Sequence, residues 1–125
     1  MSRRLAELRH VASVLLEAEL ASLREAGDRR AATLARLQAL DAAAARQHAT
    51  IQAELEAPVA GRVLDRWGGW AERRRVALNT ALAGETAAVE AQRSQAMKAF
   101  GREQALARIA AKAAAEARRK ARRNG

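Results

Sequence analysis

The sequence predicts an all-α chain in which two long helices form an antiparallel coiled-coil hairpin. Three observations predict it. Pro58 is the only proline among 125 residues and sits near the middle, with Gly61 just after it. On either side lie more than fifty residues rich in Ala, Leu, Arg and Glu, with no strong helix breaker. The chain also holds 35 alanines, and alanine is the best helix former but buries little area. Such a composition favours long helices over a filled globular core.

The first arm is expected over about residues 3–56. Its apolar or small residues fall at Leu5, Leu8, Ala12, Leu16, Leu20, Leu23, Gly27, Ala31, Leu34, Leu37, Ala44, His48, Ile51 and Leu55. Most gaps are three or four residues, the spacing of a stripe down one helix face. The gaps from Ala12 to Leu16 to Leu20 are both four, a stutter that would relax the supercoil locally. The tip is expected at about 57–62, with Pro58 in the first turn of the returning helix, where its missing N–H is not needed.

The second arm is expected over about 63–120, with a stripe at Leu64, Trp67, Ala71, Leu78, Leu82, Val89, Ala96, Phe100, Leu106, Ala110 and Ala113. A fold-back near Val59 and Ala60 brings Leu82 opposite Leu37, Phe100 opposite Leu20 and Trp67 near Ile51. Each arm would be on the order of 80 Å long at 1.5 Å per residue. Gly68 and Gly69 weaken the early second arm by about 1 kcal/mol each relative to alanine. A basic tail at 118–125 closes what reads as a single domain, 1–125.

Charge divides unevenly. Residues 1–60 hold eight basic and eight acidic residues, whereas 61–125 hold fifteen and six and carry the whole net charge of +9. The second arm therefore favours an acidic partner. No run of eighteen apolar residues suggests a transmembrane helix, and Glu7, Arg9 and His10 interrupt any signal-peptide core. The chain has no cysteine, so disulfides and thiolate metal sites are not expected.

No catalytic constellation, metal site or cofactor motif stands out, and an enzyme is not expected. His10 and His48 are too far apart to share a metal, and His48, within the apolar stripe, reads as a polar seam residue that sets register. Two segments are better suited to binding. Around Gly68 and Gly69, Trp67 and Trp70 are crowded by Arg62, Arg66, Arg73, Arg74 and Arg75. Trp and Arg are enriched at interface hot spots, although the indoles could equally plug the wide end of a hairpin. Arg118, Arg119, Lys120, Arg122 and Arg123 form the second segment. A helix dipole accounts for one or two of these charges, not five within six residues. The tail lacks aromatics for base stacking and bulky apolar residues for membrane insertion.

These features together resemble the FliJ/YscO family of bacterial flagellar and type III secretion systems. The likeness rests on two uninterrupted arms, the mid-chain break at Glu54–Gly61, the opening Arg66-Trp67-Gly68-Gly69-Trp70 of the second helix, and the charged closing segment from Arg102 to Lys120. The resemblance implies a non-enzymatic stalk that couples a hexameric export ATPase to the membrane export gate, with export chaperones as further partners. It implies that the gate contact involves Trp67, Trp70, Arg73, Arg74 and Leu78. The ATPase contact would fall at the paired arm ends, where Arg118, Arg119, Lys120, Arg122 and Arg123 lie. Such a protein would be cytoplasmic, peripheral to the inner-membrane export apparatus. The alternative is a basic helical protein that binds nucleic acid or the ribosome, for which a steep salt dependence would be expected. A third reading is a dimerising scaffold.

Overall fold

The computed structural model describes residues 3–125, and they form two helices packed against each other. Helix α1 runs Arg3–Glu54 and helix α2 runs Ala57–Asn124. The reversal is confined to Leu55 and Glu56. The Leu55 N–H donates to the Ile51 carbonyl at 3.1 Å, closing α1. The Ala60 N–H donates to the Glu56 carbonyl at 2.8 Å, opening α2. Pro58 dictates this position. Had α1 continued, its ring would have met the Glu54 carbonyl four residues back, whereas in the first turn of α2 it gives up no hydrogen bond.

The expected bounds shift accordingly. Residues 57–62, expected as the tip, are the first turns of α2, and the closing basic stretch is helical through Asn124. The earlier reversal also moves the register. A fold-back at Val59 and Ala60 would bring position 44 opposite Arg75, but Asp41 is there instead, 2.8 Å from the guanidinium. No described residue, glycine included, has a positive φ. Gly61 thus lies inside a helix and is not the pivot of the turn.

Contacts divide the chain into two compact units. One comprises residues 26–89, and the other the segments up to Glu25 and from Glu90 onward. In the unit of residues 26–89, buried or half-buried residues recur on α1 at Ala26, Arg30, Thr33, Leu37, Leu40 and Ala44. Their gaps alternate four and three, the heptad rhythm of a coiled-coil seam. The core is Leu37, Leu40, Ala71 and Leu78, with Trp67 and Leu82 packed against it. Polar residues also occupy this seam. Arg30 donates to the Thr86 hydroxyl at 2.9 Å, and Arg75 reaches Asp41 through Nε and Nη2. Asp41 first and Glu72 second hold the Arg75 guanidinium above its ordinary pKa. These two cross-helix contacts fix the register. His48, expected to do so, is exposed.

In the other unit the α1 seam is Ala12, Leu16, Glu19 and Leu23. Glu19 is half-buried where Leu20 is exposed, so the burial pattern steps three residues from Leu16 and the expected stutter does not occur. Leu20 borders a groove beside the seam together with Phe100, its expected neighbour. Two successive gaps of four appear instead on α2, at Trp67, Ala71 and Arg75. The α2 seam of this unit passes through Ala96 and Ala99, and Phe100, expected in the stripe, is exposed. The buried residues described in this unit are thus alanines, Ala12, Ala96 and Ala99, and large side chains such as Met97 and Phe100 stand exposed beside them.

Most glycines inside the helices have no side chain packed against them. A Cβ added at Gly27, Gly68, Gly84 or Gly101 would meet nothing within 4 Å. Each Gly→Ala substitution is expected to raise stability by about 0.5–1 kcal/mol, since it lowers the entropy of the unfolded chain and meets no obstacle when folded. Urea denaturation followed by circular dichroism checks this. A lowered midpoint would show that the glycine is needed.

Candidate functional site

The first five turns of α2 place an unusual set of side chains on one face. At 100° per residue, Val59, Arg62, Val63, Arg66, Trp70, Arg73 and Arg74 fall within an arc of about 120°. All seven are exposed. Trp70 stands half out of the surface at 51 %. No acidic residue falls within the arc from Val59 to Arg74. Asp65 and Glu72 point elsewhere on the helix, and Glu72 is committed to Arg75 at 2.7 Å. None of the four arginines on the face has an ion-pair or hydrogen-bond partner among the described residues. Val59, Arg62, Val63 and Arg66 border a shallow depression of about 280 Å³.

The expected gate residues divide between this face and the core. Trp70, Arg73 and Arg74 belong to the face. Trp67 turns inward, 6.2 Å from the Trp70 ring centre and tilted by 43° to it, and packs on the Leu37, Leu40 and Leu78 core. Leu78 itself is only 6 % exposed. It therefore offers no surface to a partner and drops out of the site. The three-residue step from Trp67 to Trp70 rotates the second indole by about 60° away from the seam, enough to expose it.

Val59, Arg62, Val63 and Arg66 were not among the expected site residues. The signal for them was a stripe of spacing 59, 63, 66, 70 that runs parallel to the seam stripe 60, 64, 67, 71. Gly68 and Gly69 do not interrupt it, because both are helical. The guanidinium of Arg73 lies over Gly69, where a Cβ would come within 3.4 Å of Nη1. An aromatic ring, two valines and four unpaired guanidiniums form an amphipathic surface that can cover apolar groups while pairing with carboxylates.

The second expected segment is equally exposed. Arg118, Arg119, Lys120, Arg122 and Arg123 have no partner side chain among the described residues. The four arginines fall within about 140° of one another on the helix, and Lys120 lies about 60° beyond Arg123. Arg122 and Arg123 lie in the last turn of α2, where they complement the helix dipole.

Among the described residues no group of three or more His, Cys, Asp or Glu could hold a metal ion, and no helix is long and apolar enough to cross a membrane. The fold and these faces define a helical hairpin with two exposed, cation-rich surfaces. No family model, curated protein or solved structure matches the chain.

Proposed function

We propose that the chain is a non-enzymatic coupling protein of a bacterial flagellar or type III export apparatus, of the FliJ/YscO kind. In this reading the Val59–Arg74 face docks on the cytoplasmic part of the membrane export gate. The basic cluster Arg118–Arg123 contacts the hexameric export ATPase, and export chaperones are further partners. Its site would be the cytoplasmic side of the inner membrane.

One observation carries the reading. The chain places an exposed indole, Trp70, and four unpaired arginines on one face of a two-helix hairpin, a surface with the chemistry of a protein-docking hot spot. A double-helical nucleic acid would instead be held through its phosphates, with a steep salt slope and little dependence on Trp70.

The test mixes the purified chain with a hexameric export ATPase and, separately, with the cytoplasmic part of the export gate. Binding to both, with faster ATP hydrolysis, is the expected result. Replacing Arg118, Arg119, Lys120, Arg122 and Arg123 by alanine should weaken the ATPase contact about ten-fold or more at low salt and leave gate binding unchanged. No binding to either partner, combined with RNA binding of steep salt slope, would instead support the basic nucleic-acid-binding reading.

A further inference from the structure

The unit formed by the segments up to Glu25 and from Glu90 onward has apolar surface that its own two helices do not cover. It holds eight of the fourteen large hydrophobic residues that the described chain leaves exposed, among them Leu8, Val11 and Leu15, each about half exposed. The buried residues described in this unit are alanines, Ala12, Ala96 and Ala99, and these larger side chains stand beside them. Leu8, Val11 and Leu15 are spaced by three and four residues, a second coiled-coil stripe on α1 next to the one already used. With Ala99 and Leu106 of α2 they line a groove of about 370 Å³, whose only charged lining residue is Arg102. Arg102 has no partner among the described residues.

We infer that this groove takes a third helix, an acidic amphipathic helix of another protein. The groove's concave section between two helices receives a ridge of side chains at helical spacing, which a flat lipid surface does not present. Charge selects the sign of the occupant. The α2 stretch 93–112 that borders the groove carries five basic residues, Arg93, Lys98, Arg102, Arg108 and Lys112, against Glu103, while the α1 stretch 3–20 balances three against three, a local net of +4. A second copy would bring the same +4 alongside, and like charges at the groove oppose pairing. A helix with leucines along one stripe and glutamates flanking it would fill the groove and meet Arg102. This assignment holds whichever assembly the chain serves, since the groove lies apart from the Arg118–Arg123 cluster.

The probe is a dye-labelled synthetic peptide of three heptads, with Leu at the two core positions and Glu at the flanking ones. A scrambled peptide of identical composition is the control. Fluorescence anisotropy at physiological salt should show the amphipathic peptide binding about ten-fold tighter than the scrambled one. V11E with L15E should remove that difference while leaving the thermal melt unchanged. Arg102→Glu, which disturbs no packed side chain, is the second variant and should weaken the amphipathic peptide several-fold.

Equal affinity for the two peptides would overturn the inference, because charge alone would then explain binding. Unchanged affinity in V11E/L15E or in Arg102→Glu would overturn it as well. So would sedimentation of the unmodified chain as a dimer that V11E/L15E dissociates, which would make the occupant a second copy. Binding to phosphatidylglycerol vesicles that the same pair abolishes would assign the groove to lipid instead.

Discussion

Leu78→Ala should lower the stability of the chain by about 3 kcal/mol, the usual cost of deleting a buried leucine side chain and leaving its cavity. Leu78 is in the cluster with Leu37, Leu40 and Ala71. That cluster is small, and few other leucines are available to fill the space. The melting temperature should fall by about 10 °C or more, followed by circular dichroism at 222 nm. Val76→Ala is the control, since Val76 is exposed, and should change stability by no more than about 0.5 kcal/mol. A Leu78→Ala variant that melts like the parent yet fails to bind the export gate would overturn this. It would return Leu78 to the docking surface that the family resemblance implied.

The second large effect is on binding. Trp70→Ala combined with R73E and R74E should reduce affinity for the export gate about 100-fold, the scale of losing a hot-spot aromatic and reversing two charges beside it. Helix content and melting temperature should stay close to those of the parent, because all three side chains are exposed. Trp67→Ala should do the reverse. It removes an indole packed on the core, and a stability loss of about 2–3 kcal/mol is expected, below the range for a fully buried tryptophan. Isothermal titration and thermal melts on both variants separate the two roles. If Trp67→Ala alone abolished gate binding without lowering the melting temperature, the division of the two tryptophans would be wrong. So would the Val59–Arg74 face.

That division shows why the candidate site was only half legible in the amino acids. Trp67, Trp70, Arg73, Arg74 and Leu78 stand close in the chain, and composition marks them as one segment. On a helix they belong to two faces, and only knowledge of which face meets α1 separates them. The seam residues themselves were hard to find for a related reason. Around Ala12–Leu20 and Ala26–Leu34, α1 carries apolar residues on two adjacent stripes. Following the leucines leads to Leu20, Ala31 and Leu34, whereas the packed residues are Glu19, Arg30 and Thr33. Hydrophobicity is a poor guide when a seam is built on alanine and closed by polar contacts such as Arg30 with Thr86.

Helicity and the place of the reversal could be read without any partner helix. Alanine, leucine, arginine and glutamate favour the helix residue by residue, and Pro58 forbids its continuation through a clash that involves only the local backbone. The basic excess of the second half is likewise a property of composition. Register, burial and exposure depended on the other helix. Asp41 rather than position 44 faces Arg75 because the turn takes only two residues. Phe100 lies outside the seam because its chain neighbour Ala99 occupies it, and one residue's step turns the ring away by about 100°. Val11 and Leu15 are left uncovered because two helices can bury only one stripe each. Local preference is encoded one residue at a time, whereas the choice between neighbouring stripes is a comparison of packed interfaces, and that comparison exists only once the two helices meet.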